Sequence, residues 1–314
     1  MKLVFFGSGT FALQSLKALL QGPFAPALVI SQPPRRRRRG AAPEPTPVSA
    51  AAGAAGLAVF TPEKVNAPES LERLRADGDA LFVVAEYGAL LSAELLQIPA
   101  HCTINVHASL LPRHRGASPV AAAILAGDTE TGVTIQRTVL ELDAGPILAA
   151  RTVAIGLEED AGALTARLAR VGAELLLEVV QAFAGGAAPP EREQDADDAT
   201  YAPRLKRDAG VLDWSESAAA LALRVRAMTP RPGARVTLVR DPPLPVRVLR
   251  CRAAEGEAEP GTLARLDGDS LWVGTGDGLL DVQEVVPAGR RPMSGRAFAN
   301  GFHLQPGARF VVAQ

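Results

Sequence analysis

The chain has 314 residues, 47% hydrophobic and 21% charged, with 33 Lys and Arg against 34 Asp and Glu for a formal net charge of −1. This is the composition of an ordinary globular protein, and the length exceeds what one compact core usually covers, so two domains are expected. No run approaches the ~18 consecutive apolar residues of a membrane span, and Leu3–Phe6 is too short for the core of a secretion signal, so a cytoplasmic location is expected.

In chain order, Leu3–Phe6, Leu28–Ile30, Ala80–Ala85 and Thr103–Val106 read as buried strands. Phe11–Leu20, Ser70–Ala76, Pro119–Ala126 and Ala161–Phe183 read as helices, with apolar residues at three- and four-residue steps. Strands alternating with helices predict an α/β fold with a doubly wound, mostly parallel sheet, in which ligands bind beyond the carboxyl ends of the strands. Gly185-Gly186 stops the long helix, and the polar run Glu191–Thr200 reads as a linker. A helix over Ser217–Met228 and short alternating runs at Val236–Val239, Val246–Leu249, Leu271–Val273 and Leu279–Val285 then predict a small β-barrel. The domain boundaries expected are 1–186, a linker at 187–205, and 206–314. That last part carries 15 Lys and Arg against 12 Asp and Glu, a mildly basic balance that permits a polyanionic partner.

Gly7-Ser8-Gly9-Thr10-Phe11-Ala12 follows the first strand and opens a helix, the spacing of a dinucleotide fingerprint. That reading needs an acidic residue at the end of the second strand. Leu28–Ile30 leads instead into Ser31-Gln32-Pro33-Pro34, so a tight strand-to-helix turn is expected. Next come five consecutive arginines, Arg35, Arg36, Arg37, Arg38 and Arg39, between prolines. They cannot pack in a core without acidic partners. Two readings stand on composition: a solvated loop, or an arm that contacts phosphates and bases.

Asn105 and His107 share one face of a strand, because side chains two apart point the same way. The chain then breaks into a loop at Ser109-Leu110-Leu111-Pro112, and Asp143 follows in Leu142-Asp143-Ala144-Gly145. An amide donor, an imidazole and a carboxylate suit acyl transfer: the amide holds a developing oxyanion, the imidazole moves a proton, and the carboxylate orients and charges the imidazole. Each has an ordinary reading singly, as turn former or structural histidine. Cys102 and Cys251 are expected as reduced thiols. The four histidines share no ligand spacing, and no metal is expected.

Asn105-Val106-His107, Ser109–Pro112, Arg115-Gly116 and the distant Asp143 together resemble the folate-dependent formyltransferases, and the similarity runs the full length. The resemblance implies a Rossmann-like formyltransferase domain followed by an OB-like β-barrel domain. It implies 10-formyltetrahydrofolate as co-substrate, no metal and no covalent enzyme intermediate. It makes Asn105, His107 and Asp143 catalytic and has Ser109, Leu110, Leu111 and Pro112 line the folate site. It also places Ala85-Glu86-Tyr87-Gly88 near the pterin. Glu86 stands where the family usually has an apolar residue, facing solvent or tuning the pocket, and Gly9 stands where it usually has proline. His114 reads as a surface substitution without a role.

The arginine run, Val211-Leu212-Asp213-Trp214 and Pro287–Ser294 resemble the branch of the family whose acceptor is methionyl initiator tRNA. Glycinamide-ribonucleotide members lack a second domain; amino-sugar members are the nearer competitor. The tRNA branch implies that Arg35–Arg39 enters the acceptor stem, with Arg39-Gly40 as a wedge, and that the barrel holds the tRNA backbone, Arg290 and Arg291 being candidate contacts. It also implies a monomer.

Overall fold

The computed structural model describes residues 1–36 and 40–313, so the expectations for Arg37, Arg38 and Arg39 lie outside the described residues. The chain divides into two compact units, one of Met1–Pro119, Glu130–Ala154 and Thr165–Ala202, the other of Val120–Thr129, Ile155–Leu164 and the chain from Pro203 on.

The first two-thirds run β1 (Lys2–Gly7), α1 (Thr10–Gln21), β2 (Leu28–Ile30), α2 (Pro47–Ala54), β3 (Val59–Phe60), α3 (Pro68–Arg75) and β4 (Ala80–Ala85). They continue with α4 (Ala93–Leu96), β5 (Thr103–His107), β6 (Arg115–Gly116), α5 (Pro119–Leu125), β7 (Glu130–Arg137), β8 (Ile147–Ala154), α6 (Ala161–Ala184) and β9 (Tyr201–Ala202). The main sheet has the order β3-β2-β1-β4-β5-β7-β8. Its first five members are parallel, and β7 and β8 add an antiparallel hairpin. Strand order reverses between β1 and β4, which opens a crevice at their carboxyl ends.

Strands buried on both faces read as unbroken apolar runs. In β1 every residue from Leu3 to Phe6 is buried, and in β4 every one from Ala80 to Val83. Val4, Phe6, Ile30, Leu71, Leu74 and Phe82 form a core on one side of the sheet. The Phe6 ring lies 5.4 Å from that of Phe82 and meets Tyr87 edge-on at 5.5 Å. Burying one such ring stabilises by about 1.5–3 kcal/mol. Helix α1 turns Phe11, Ala12, Ser15, Leu16 and Leu19 inward, the single stripe of an amphipathic helix. The stretch read as a linker is a strap on this unit: Arg192 pairs with Ile147, and β9 with β6.

The second unit carries α7 (Ala218–Met228), β10 (Ala234–Leu238), β11 (Leu244–Ala254), β12 (Leu263–Asp267), β13 (Ser270–Gly274), β14 (Leu279–Pro287), β15 (Met293–Ser294), α8 (Gly295–Phe302) and β16 (Phe310–Val312). Ser217 caps α7 by accepting from the Ala220 amide at 3.2 Å. The antiparallel sheet runs β12-β13-β14-β11-β10-β16. It curls until Leu263 N donates to Ala308 O at 2.8 Å and Phe310 N to Gly261 O at 2.7 Å. This is the OB-like barrel expected. Val246 and Val248 face its interior; a bulge between Val248 and Arg250 shifts the alternation, so that Cys251 is the next residue buried.

Candidate active site

Strand β5 delivers Asn105 and His107 at its carboxyl end, Asn105 half-buried and His107 buried. Asn105 pairs with Gln136 and His107 with Thr134 on β7. The loop joining β7 to β8 brings Asp143 back over that edge, with Asp143 at φ +51. Aspartate tolerates this left-handed conformation better than most residues. The Asp143 carboxylate accepts from Asn105 Nδ2 at 3.3 Å, Gln136 Nε2 at 3.0 Å and Gly116 N at 2.9 Å. His107 Nδ1 faces Asp143 Oδ2 at 3.6 Å, and His107 Nε2 donates to the His114 carbonyl at 3.0 Å. That bond places a hydrogen on Nε2, so Nδ1 is the nitrogen turned to the carboxylate. The three residues singled out in the sequence therefore converge.

The loop carrying Asp143 is held from a direction the sequence reading missed. Gln194 Nε2 donates to Asp143 O at 2.8 Å and Gly145 O at 2.7 Å. Its Oε1 accepts from Arg115 Nε at 3.1 Å and Nη2 at 2.9 Å. Arg115 is 3% exposed, and its nearest carboxylate, Glu141, lies 3.8 Å away. Gln194 sits in a polar run of acids, and only its being an uncharged amide between Glu193 and Asp195 marked it out.

The Ser109–Pro112 loop is pinned by one hydroxyl. Thr134 Oγ1 donates to Ser109 O at 2.7 Å and accepts from Leu111 N at 3.1 Å. Ser109 and Leu111 are buried, and Ser109 Oγ donates to Arg113 O at 2.7 Å; Leu110 and Pro112 are the half-exposed members. His114 corrects an expectation: it is 7% exposed, and its carbonyl is the partner of His107. The Tyr87 ring belongs to the core beneath the sheet, and burial pushes its phenol up to about 12.

The Gly7–Ala12 turn is already filled. Glu86 Oε2 accepts from Phe11 N at 2.9 Å and Ala12 N at 3.4 Å, where a phosphate would sit in a dinucleotide fold. Glu86 as a residue is exposed, but its carboxylate is the end turned into the protein, and burial raises its pKa against the lowering effect of those two amides. Of the arginine run, Arg35 and Arg36 are described. Arg35 and Glu44 exchange two backbone hydrogen bonds of 3.1 Å that close the stem of the loop, and Arg35 Nη2 donates to Gln32 Oε1 at 3.3 Å. Arg290 and Arg291 are exposed. No described helix is long and apolar enough to cross a membrane.

Residues 1–180 match the sequence profile of the family described as formyl transferase, and residues 204–303 that of the formyl transferase C-terminal domain. Relatives named methionyl-tRNA formyltransferase include that of Halorhodospira halophila, 42% identical over 98% of this chain and 98% of its own length. The Thermus thermophilus relative of that name is 42% identical over 98% and 99%. Among solved structures, the N-formyltransferase of Helicobacter canadensis, in complex with folinic acid and dTDP-3-aminofucose, superposes with a TM-score of 0.67 at 16% identity, covering 90% of this chain and 99% of that one. HypX of Aquifex aeolicus in complex with tetrahydrofolic acid gives 0.62 at 16%, covering 100% and 51%. These two likenesses concern the fold.

Proposed function

The chain belongs to the formyl transferase family, and on that premise we propose that it moves the formyl group of 10-formyltetrahydrofolate to the α-amine of methionine carried by initiator tRNA. The observation that carries the acceptor is likeness at 42% over nearly the whole length of both chains to enzymes named for it, against 16% to an N-formyltransferase solved with dTDP-3-aminofucose.

Asn105, His107 and Asp143 are the catalytic groups. The amine nitrogen attacks the formyl carbon, and the carbonyl oxygen becomes an oxyanion. Asn105 Nδ2, free to leave its 3.3 Å bond to Asp143, turns its hydrogen to that oxygen. The attacking amine loses a proton to Asp143, directly or through His107 Nδ1 at 3.6 Å. As the intermediate collapses, the bond to N10 breaks and N10 takes the proton that Asp143 received from the amine, giving tetrahydrofolate and formylmethionyl-tRNA. The backbone of Ser109–Pro112, with Leu110 and Pro112, lines the folate site, and the loop after β4 borders its pterin end.

Residues 1–186 form the catalytic domain, 187–205 the connecting strap and 206–314 the tRNA-binding barrel. Arg35–Arg39 contacts the acceptor stem, and Arg290 and Arg291 contact the tRNA backbone. The active unit is a monomer, as the family resemblance implies. The reaction serves translation and places the enzyme in the cytoplasm. Transfer of labelled formyl to Met-charged initiator tRNA tests the reading; a label that stays on the folate refutes it.

A further inference from the structure

Gly9 and Glu86, two departures from the family's sequence pattern, are in contact. A Cβ built at Gly9 would fall on the Glu86 carboxylate. Glu86 follows the last residue of β4 at φ +41, a left-handed backbone that glutamate seldom adopts, and its side chain folds back into the room Gly9 leaves. There it holds Phe11 N and Ala12 N.

The main chain completes a knot. Ser8 N donates to Glu86 O at 3.2 Å, Ser8 Oγ to Tyr87 O at 3.0 Å, and Gln32 N to Ser8 Oγ at 3.1 Å. The carboxyl ends of β1, β2 and β4 and the start of α1 are thus tied together where strand order reverses, the crevice in which ligands of such sheets bind. Val84 pairs with Asn105, so Glu86 leaves β4 level with His107 on β5. A carboxylate kept there against its desolvation is a poor choice for stability alone.

We propose that Glu86, seated in the room left by Gly9, is a positioning residue that fixes the loop after β4 and thereby sets the affinity for the formyl donor. This rests on the folate reading above. The Glu86 side chain touches no reacting atom; it acts through the backbone of Tyr87 and Gly88. The amides that a phosphate would use are its partners, so the turn serves loop placement in this chain.

The test compares wild type, Gly9→Ala, Glu86→Ala, the double variant and Glu86→Gln for donor KM, kcat and thermal unfolding. Losing this tie raises donor KM about tenfold in Glu86→Ala with kcat within about twofold. Glu86→Gln, whose amide oxygen still accepts, recovers most of the affinity. Gly9→Ala expels the carboxylate and also raises KM, and the double variant is no worse than the poorer single one, because both break one contact. An unchanged donor KM in Glu86→Ala overturns the proposal, as do single effects that multiply in the double variant. A helix cap without a positioning role would lower the unfolding temperature and leave KM alone. A wild-type enzyme that takes no formyl from the folate defeats the functional reading, and the four-protein unfolding cycle then still decides whether Gly9 and Glu86 are coupled.

Discussion

Gln194 Nε2 donates to the main-chain oxygen of Asp143 at 2.8 Å, so a residue of the connecting strap holds the backbone of the proposed proton acceptor. The same side chain accepts from the buried Arg115, which ties the loop to the strand pair β6–β9. Gln194→Ala removes both ties and lets Asp143 drift from His107. A misplacement of about 1 Å costs up to about 100-fold in rate. Steady-state kinetics should show kcat lowered about 10- to 100-fold with donor KM within about twofold. An unchanged kcat would mean that the loop holds Asp143 without the strap.

Asn105 is the proposed donor to the oxyanion. Asn105→Ala should lower kcat about 100- to 1,000-fold, the cost of one lost oxyanion donor. Rates under saturating donor and tRNA measure it. A loss below about threefold would assign the oxyanion to another group.

Asp143 has a structural part as well. Asp143→Ala leaves the donors of Asn105, Gln136 and Gly116 without their acceptor, and should destabilise by about 1–3 kcal/mol in urea unfolding. Asp143→Asn keeps one acceptor oxygen and should lose less stability, yet fall as far in kcat, because an amide takes no proton. Equal stability losses in the two variants would show that the bonds to the carboxylate contribute little.

Glu86 gives a pH dependence of defined sign. Its folded pKa is raised above 4.5 by burial, so the folded chain binds this proton more tightly than the unfolded chain. Its contribution is greatest at low pH and is lost as pH rises from 4.5 through the folded value. Glu86→Gln has no such loss. Thermal unfolding across this range should show the variant gaining on wild type as pH rises to neutrality; a constant difference would place the carboxylate in water.

Four of the five parallel strands were legible because burial on both faces writes them as apolar runs, as in Leu3–Phe6 and Ala80–Ala85, whereas the two-residue edge strand β3, only partly buried, left no such run. The β7–β8 hairpin was not, because Glu130–Arg137 mixes small, polar and charged residues, though it carries Thr134 and Gln136. Strand β11 reads as ending at Leu249 because the bulge breaks its alternation, while the ladder continues to Ala254. Two-residue spacing put Asn105 and His107 on one face, but nothing local linked Asp143 to them; that came from family resemblance. His114 was misjudged because its part is played by a backbone carbonyl, which side-chain chemistry does not reveal. Gln194 lay hidden for a related reason: the groups it holds are main-chain oxygens.

Formyl transfer to an aminoacyl-tRNA by the Asn105–His107–Asp143 cluster is the proposed activity. It is tested most directly by offering wild type and His107→Ala labelled 10-formyltetrahydrofolate with Met-charged initiator tRNA and, in parallel, a nucleotide-linked amino sugar. Label should appear on the tRNA alone and be nearly abolished in the variant. Label on the sugar, or transfer to tRNA undiminished in His107→Ala, would contradict it.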